Sequence, residues 1–352
     1  MLIDPGPIRP PSEANSYLIR VTRNCPWNKC LFCPVYKKHR YEPRPVEDIL
    51  AEIDYDAQTL GDRFKSAFLQ DANPIQAPTP DLVKIISTIK DAFPAIRTVT
   101  TYGRSSTLKK KSIEELEELR GAGLTRIHCG LESGYDALLR YMKKGSNAKI
   151  LIEGGQKVKQ AGLELCHYVM PGLGGDLQLE GRPTWKRHAE ETARVINEVN
   201  PDYVRLRTLG IHPATPLGKK VSCGEFKRLT DPEIVEEIRC FIESLDGVSS
   251  RIRSDHHLNL LMEIIGTMPD DKEKILSTID TYLKLPLIDK YGFRFWTLLY
   301  RYKVVSKFTL TEAEHMRDFM HEKWGIDPNR DLNPVDIQNL EHVVESLLMQ
   351  RI

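Results

Sequence analysis

The sequence predicts an α/β fold, a parallel sheet made by six strand–helix repeats, followed by a mainly helical C-terminal extension. Three observations predict it. Short β-like runs alternate with amphipathic helical runs through about residue 245, the pattern of parallel strands joined by right-handed crossovers. From about residue 250 the pattern changes, and apolar residues recur mainly at helical spacing. The length of 352 residues, 41% hydrophobic and 28% charged, suffices for one large globular α/β domain plus an appendage. The expected divisions are residues 1–15 as an N-terminal extension, 16–245 as the α/β domain and 246–352 as the helical extension.

Residues 17–22, 66–70, 98–102, 126–131, 163–170 and 203–209 read as strands. Helices are expected between them, at 45–57, 80–93, 112–122, 137–143 with 148–161, and 185–199, and another at 231–245. Glu114, Glu115, Glu117 and Glu118 surround Leu116 and Leu119, as in a solvated helix with one buried stripe. Periodicity does not separate an open doubly wound sheet from a barrel. Both place their chemistry at the C-terminal ends of the strands. The distinctive residues do follow strand ends: a cysteine loop after the first, 70–73 after the second, Glu132 after the fourth and a glycine turn at 172–175 after the fifth.

In the C-terminal part, Leu258, Leu261, Met262 and Ile265 stand at i, i+3, i+4 and i+7, predicting a helix opened by Ser254, Asp255, His256 and His257. The two histidines are adjacent, so they do not share a helix face for a metal. Ile275, Ile279, Tyr282 and Leu283 repeat the helical spacing. Thr311 and Glu314 read as a capping box. Asn333 and Pro334 start a last helix with Ile337, Leu340, Val344 and Leu347 on one face. Tyr291, Phe293, Phe295 and Trp296 read as core.

Lys and Arg total 50 against 49 Asp and Glu, a net charge of +1, which gives no global case for a nucleic-acid or polyanion partner. No run approaches the roughly 18–20 apolar residues of a membrane span. The polar, proline-rich N-terminus has no signal-peptide core, so the expected location is cytoplasmic. The seven cysteines are 25, 30, 33, 129, 166, 223 and 240. Three of them fall within nine residues, which favours a metal or cluster site over a disulfide framework.

The loop reads Asn24-Cys25-Pro26-Trp27-Asn28-Lys29-Cys30-Leu31-Phe32-Cys33-Pro34. Three thiolates in one loop can hold three irons of a cubane, and with no fourth cysteine nearby one iron would keep an open position. The alternative is a structural zinc site, with His39 as fourth ligand to Cys25, Cys30 and Cys33 and no catalysis, only a stabilised binding module. Metal colour separates the two: a cluster is brown, zinc colourless.

The loop resembles that of the radical S-adenosylmethionine (radical SAM) superfamily, whose common spacing is C-x3-C-x2-C with an aromatic before the last cysteine. Phe32 fills the aromatic place, while the spacing here is the variant C-x4-C-x2-C. The Gly130-Leu131-Glu132-Ser133-Gly134 run, with Lys144-Gly145 further on, resembles the elongator-type and coproporphyrinogen-dehydrogenase-like branch. The resemblance covers roughly residues 16–245. It implies a partial (β/α)6 TIM-like barrel with a helical C-terminal extension. It also implies oxidoreductase chemistry: a [4Fe–4S] cluster, reduced by an external flavodoxin- or ferredoxin-type donor, cleaves S-adenosylmethionine to a 5′-deoxyadenosyl radical that takes hydrogen from a substrate. Such a cluster is oxygen-sensitive.

Site residues follow from the same resemblance. Gln70, Asp71, Ala72 and Asn73 match the segment whose oxygens hold the methionyl ammonium. Arg104 suits the methionyl carboxylate, with Ser105 as an added donor. Glu132 matches the ribose-binding position, and Lys144, twelve residues later, reaches the cosubstrate's carboxylate or ribose. Gly172 belongs to the turn set against the adenine. On the sixth strand, alternation puts Arg205 and Arg207 on one face. Two buried guanidiniums need anionic partners, Arg205 in Glu132 or the cosubstrate and Arg207 in an acidic group of the substrate. Cys129 alternates away from Glu132 and reads as a core cysteine.

The few residues before the first strand leave no room for a cobalamin domain. The lack of cysteine after Cys240 argues against an auxiliary-cluster domain. The substrate stays open, between a small anionic metabolite, which Arg205 and Arg207 suit better, and a tRNA. No side chain is assigned a catalytic acid or base role.

Overall fold

The computed structural model describes residues 6–37, 39–300 and 303–349. The chain divides into two compact units: Met1–Val169 with Val195–Val204, and Met170–Arg194 with Arg205–Ile352.

The first unit is built on parallel strands. These are β1 (Tyr17–Arg20), β2 (Ser66–Gln70), β3 (Thr98–Tyr102), β4 (Leu124–Glu132) and β5 (Glu164–Val169), hydrogen-bonded in that order. β6 (Tyr203–Leu206), whose first two residues belong to this unit, follows β5 in the sheet. The strands read as near-continuous apolar runs because both faces are covered. Ile19, Ala67, Phe68, Leu69, Val99, Ile127 and Leu165 are all buried. The helices between strands are α1 (Val46–Leu60), α2 (Thr79–Ala92), α3 (Ser105–Lys110), α4 (Ile113–Ala122), α5 (Asp136–Tyr141) and α6 (Ala148–Gln160). α2 turns Leu82, Ile85, Ile86 and Ile89 inward and packs on α1 and α4. α3 had no counterpart in the periodicity, being too short to show one. The expected α/β class, with strand–helix repeats on a parallel sheet and a helical C-terminal region, is the one observed.

α4 starts at a full capping box. Ser112 Oγ accepts from Glu115 N, and Glu115 Oε2 accepts from Ser112 N at 2.9 Å. Thr79 Oγ1 donates to Glu115 Oε1 at 2.6 Å, tying α4 to the start of α2. These bonds, that from Thr79 foremost, pull the Glu115 carboxyl from 4.5 down to about 2. A lowered carboxyl stabilises the fold above its ordinary value and loses that contribution as pH falls. The gap in Tm between the protein and Glu115→Gln should therefore be full above about pH 5 and close toward about pH 2. A gap that widens with acidification would refute the assignment.

α7 (Thr184–Val199) begins in the second unit and ends in the first. The second unit also holds α8 (Pro216–Ser222), α9 (Asp231–Glu243), α10 (Lys272–Leu283), α11 (Leu287–Leu299), α12 (Leu310–Trp324) and α13 (Pro334–Met349). It includes an antiparallel pair, β7 (Arg251–Arg253) with β8 (Ile265–Thr267). α13 begins at Pro334 as expected, and Tyr291, Phe293, Phe295 and Trp296 are buried.

Two expectations fail here. Residues 254–264 form turns, not a helix, and Ile265 opens β8 while 43% exposed. The reason is Asn259. Its side chain accepts from Thr208 N and donates to Leu206 O and Ser254 Oγ, each at 2.9 Å. These tertiary bonds hold the segment in a non-helical path while Leu258, Leu260, Leu261 and Ile264 still reach the core. The capping box of α12 sits two residues earlier than expected, at Thr309 and Glu312. No helix among the described residues is long and apolar enough to cross a membrane.

Candidate functional site

The cysteine loop follows β1 and is shaped by two asparagines in the left-handed region, Asn24 (φ 67°) and Asn28 (φ 48°). Each is held. Asn24 N donates to Asp71 Oδ2 at 3.2 Å and its Nδ2 to Arg40 O at 2.7 Å. Asn28 Nδ2 donates to the carbonyls of Tyr36 (2.5 Å) and His39 (3.2 Å), and its N–H to Cys25 Sγ at 3.4 Å. Lys37 Nζ donates to the carbonyls of Asn28 (3.0 Å) and Cys30 (2.7 Å). Cys25, Cys30 and Cys33 are unbridged and partly exposed, and Phe32 is buried. Burial pushes the Cys30 and Cys33 thiols up, and the Lys144 ammonium works against that at both.

The far side of the loop is clamped to the segment after α5. Trp27 Nε1 donates to Lys143 O at 2.7 Å, and Leu31 N to Met142 O at 3.0 Å. Gly145, at φ 70°, lies against the indole, and a Cβ there would fall 2.4 Å from Trp27 Cε2. Gly145→Ala should cost about 1–2 kcal/mol through the left-handed backbone, and also displace the indole. Urea denaturation and the tryptophan emission maximum check it, and an unshifted maximum would mean that the ring does not need the glycine. Lys29 Nζ and the Arg104 guanidinium each stand near the Trp27 ring, at 4.9 and 5.5 Å.

Asp71, fully buried at φ 89° past the end of β2, is the hub beneath the loop. Its Oδ2 accepts from Arg20 Nε (3.3 Å) as well as Asn24 N, and its Oδ1 from Ala72 N (3.2 Å). Beside it, burial and Asp71's charge keep the Tyr36 phenol protonated. Gln70 Oε1 accepts from Ile8 N at 3.3 Å. Asn73 is committed to the scaffold: its Oδ1 accepts from Arg104 N (2.8 Å), and its Nδ2 donates to Gln76 and Thr107. Ser105 Oγ bonds Ser146 Oγ at 2.8 Å.

Glu132 closes β4 at φ 64°, a strained position for a non-glycine residue. The bend turns its carboxylate to Lys144 Nζ, 2.8 Å away, in a mostly buried pair. Gly130 makes the room, since a Cβ there would meet Glu132 Oε1 at 2.3 Å. Burial disfavours the Lys144 charge, yet Glu132 and Cys30 more than offset it and hold the ammonium up. The structure thus brings together the cysteine loop, Asp71, Glu132 and Lys144. Cys129, buried, is pushed up to about 12 by desolvation and stays a thiol.

Three expected site residues lie in the second unit, each in its own surroundings. Gly172 N donates to both carboxyl oxygens of buried Glu237, at 3.1 and 3.2 Å. Arg205 pairs with Asp255. Arg207 stands near His256, whose imidazole burial, Arg207 and His257 push down to about 3.

Sequence reasoning missed Trp27, Asn28 and Lys37, whose work is to fasten the loop. Left-handed Asn residues and a tryptophan inside a cysteine loop were the available signals. It also missed the inward cluster of Phe68, Tyr102, His128 and Tyr168, where His128 Nδ1 lies 2.9 Å from Tyr168 Oη. Among the described residues, no three His, Cys, Asp or Glu side chains converge on a single ion position.

Residues 19–178 match the radical SAM superfamily. The tRNA uridine(34) acetyltransferase of Methanocaldococcus jannaschii is 25% identical over 126 residues, 36% of this chain and 22% of that protein. YtqA, an uncharacterized protein of Bacillus subtilis, is 18% identical over 261 residues, 72% of this chain and 78% of its own. The coproporphyrinogen III oxidase of Escherichia coli, a solved radical SAM enzyme, superposes with a TM-score of 0.48 at 12% identity, over 65% of this chain and 52% of that one. The chain spans about a fifth of the length of the acetyltransferase it matches.

Proposed function

This chain belongs to the radical SAM superfamily through its domain at residues 19–178, and on that premise we propose that it is a radical SAM enzyme acting on a small anionic substrate. The observation that carries the reading is a loop of three free thiols, fastened on both sides and set beside the Glu132–Lys144 pair. The donor set fits the group the family uses: Cys25, Cys30 and Cys33, all free thiols, would hold a [4Fe–4S] cluster and leave one iron open. When bound, the cluster supplies one electron, from an external flavodoxin- or ferredoxin-type donor, that cleaves S-adenosylmethionine and starts hydrogen abstraction.

The chain's own residues bind and orient. Gln70, Asp71 and Ala72 offer oxygens to the methionyl ammonium, and Asn73 fixes the backbone of Arg104 beside them. Arg104 and Lys144 offer cations to the methionyl carboxylate. Glu132 holds Lys144 until a ribose diol takes its carboxylate. Gly172 lets the adenine approach its turn. Arg205 with Asp255, and Arg207, belong to the substrate side. The protein's part is positioning and exclusion of water.

A second reading, a tRNA substrate, is favoured by the local likeness to a tRNA-modifying protein, while the net charge of +1 does not help it. The test is anaerobic purification, reconstitution with iron and sulfide, and assay of 5′-deoxyadenosine with dithionite and S-adenosylmethionine. A brown protein that forms 5′-deoxyadenosine is the expected result. A colourless protein with one zinc per chain would overturn the reading in favour of a non-catalytic binding module. Stimulation by tRNA and not by small anions would shift the substrate class.

A further inference from the structure

Positive charge gathers around the cysteine loop. Residues 22–41 carry five Lys or Arg and no Asp or Glu. Residues 137–149, which include the segment that clamps the loop, carry four and again no acid. The whole chain has a net charge of +1, so the excess is local. Part of it is used inside the fold. Arg23 pairs with Glu42, Lys144 with Glu132 and Lys149 with Glu153, and Lys37 grips two carbonyls of the loop. Lys29, Arg40 and Lys143 are exposed, and no ion pair among the described residues includes them.

The three cations stand around one feature. Lys29 Nζ lies 4.9 Å from the Trp27 ring, and Trp27 Nε1 donates to the carbonyl of Lys143. The carbonyl of Arg40 accepts from Asn24 Nδ2 at 2.7 Å, next to Cys25 in the chain. In the same loop Val35 is 39% exposed, and its backbone N–H reaches the Cys33 thiol. Cations around a small apolar spot suit a transient contact with an acidic partner, because charges at a rim steer the encounter and redox contacts are among the smallest protein interfaces. An RNA backbone would also answer to the charge. What favours a redox carrier is what the face surrounds: three thiols that are themselves only partly buried. Electron transfer falls off steeply with distance, so a donor has to dock close to them.

Resting on the proposed function, we infer that the face formed by Lys29, Arg40, Lys143 and Val35 is the docking surface for a small acidic protein that carries one electron. The cations meet the carrier's carboxylates, and Val35 supplies the apolar centre. One electron passes from carrier to cluster: the carrier is oxidised by one, the cluster is reduced by one, and no bond forms or breaks. The whole face belongs to the first unit.

Flavodoxin is the probe, against a double variant, Lys29→Glu with Arg40→Glu. The control is Arg63→Glu with Lys65→Glu, the same change of charge on exposed residues just before β2, at the opposite end of the parallel strands. Isothermal titration of the full chain without cluster should show saturable flavodoxin binding at low salt. The double variant should weaken it at least about tenfold and the control less than about threefold. In the reconstituted protein, 5′-deoxyadenosine formation at limiting reduced flavodoxin should fall at least about tenfold in the double variant, while formation driven by dithionite changes less than about threefold. Binding undiminished by the double variant, an equal loss in the control, an equal loss with dithionite, or no saturable binding up to roughly 0.5 mM flavodoxin would each overturn the assignment. So would tRNA that binds through Lys29 and Arg40 while flavodoxin does not. A wild type that forms no 5′-deoxyadenosine even with dithionite counts against the proposed function, and the titration of the unloaded chain then decides the surface.

Discussion

Cys30→Ala is expected to strip the reconstituted protein of its brown colour and most of its iron, and to cut 5′-deoxyadenosine formation to below about a hundredth of the wild-type level. The reason is that no other thiol in the first unit can replace it. Cys129 is buried and held as a thiol at about 12, and Cys166 is also buried. The carbonyl of Cys30 is in addition gripped by Lys37. With two cysteines left, the cluster lacks a ligand at a second iron and is not retained. The fold should survive, because Trp27, Leu31 and Asn24 fasten the loop through groups other than the thiols. Iron content, visible absorbance and far-ultraviolet circular dichroism together check this. A Cys30→Ala protein that keeps its iron would remove Cys30 from the ligand set.

The largest effect on stability is expected from Asp231→Ala, a loss of about 3–5 kcal/mol. The carboxylate holds Arg294 through two N–H groups and Arg228 through a third, with Arg294 only 2% exposed. Its removal leaves two buried guanidiniums without the carboxylate that pairs with both. Asp231 sits far below the usual carboxylate range because the two arginines outweigh its own desolvation. Arg294→Leu in the same chain should recover part of the loss, since a removed charge needs no partner. Urea midpoints of the single and double variants read both. A cost under about 1 kcal/mol for Asp231→Ala would mean that water reaches the arginines.

The first unit was legible because each of its strands is flanked by polar turns and followed by a periodic helix. Residues 66–70 and 98–102 matched to the residue, while β1, β4, β5 and β6 differed at their ends, where loop and strand share the same residue types. The helix expected over 258–265 failed because buried leucines mark only what is inside, not the path that takes them there. Asn259, through partners some fifty residues away, chose the path. The site was legible where chemistry is local, as in the cysteine loop and the Glu132–Lys144 pair at twelve residues' separation. It was not legible where partners are distant in sequence. Nothing near Arg205 points to Asp255, and nothing near Trp27 points to Gly145.

The clamp of Trp27 and Leu31 onto residues 142–145 also orders events in the life of the protein. A zinc finger is unfolded until its metal arrives, so metal capture and folding are one step. Here the backbone of the cysteine loop is fastened by tryptophan, asparagine and lysine, and the ordering entropy is met when the first unit folds. On the proposed function, folding is expected to come first and loading second, with the loop already in place in the empty chain. On that reading, a cluster lost to oxygen would leave a receptor of the right shape, and reloading would restore the protein without rebuilding it.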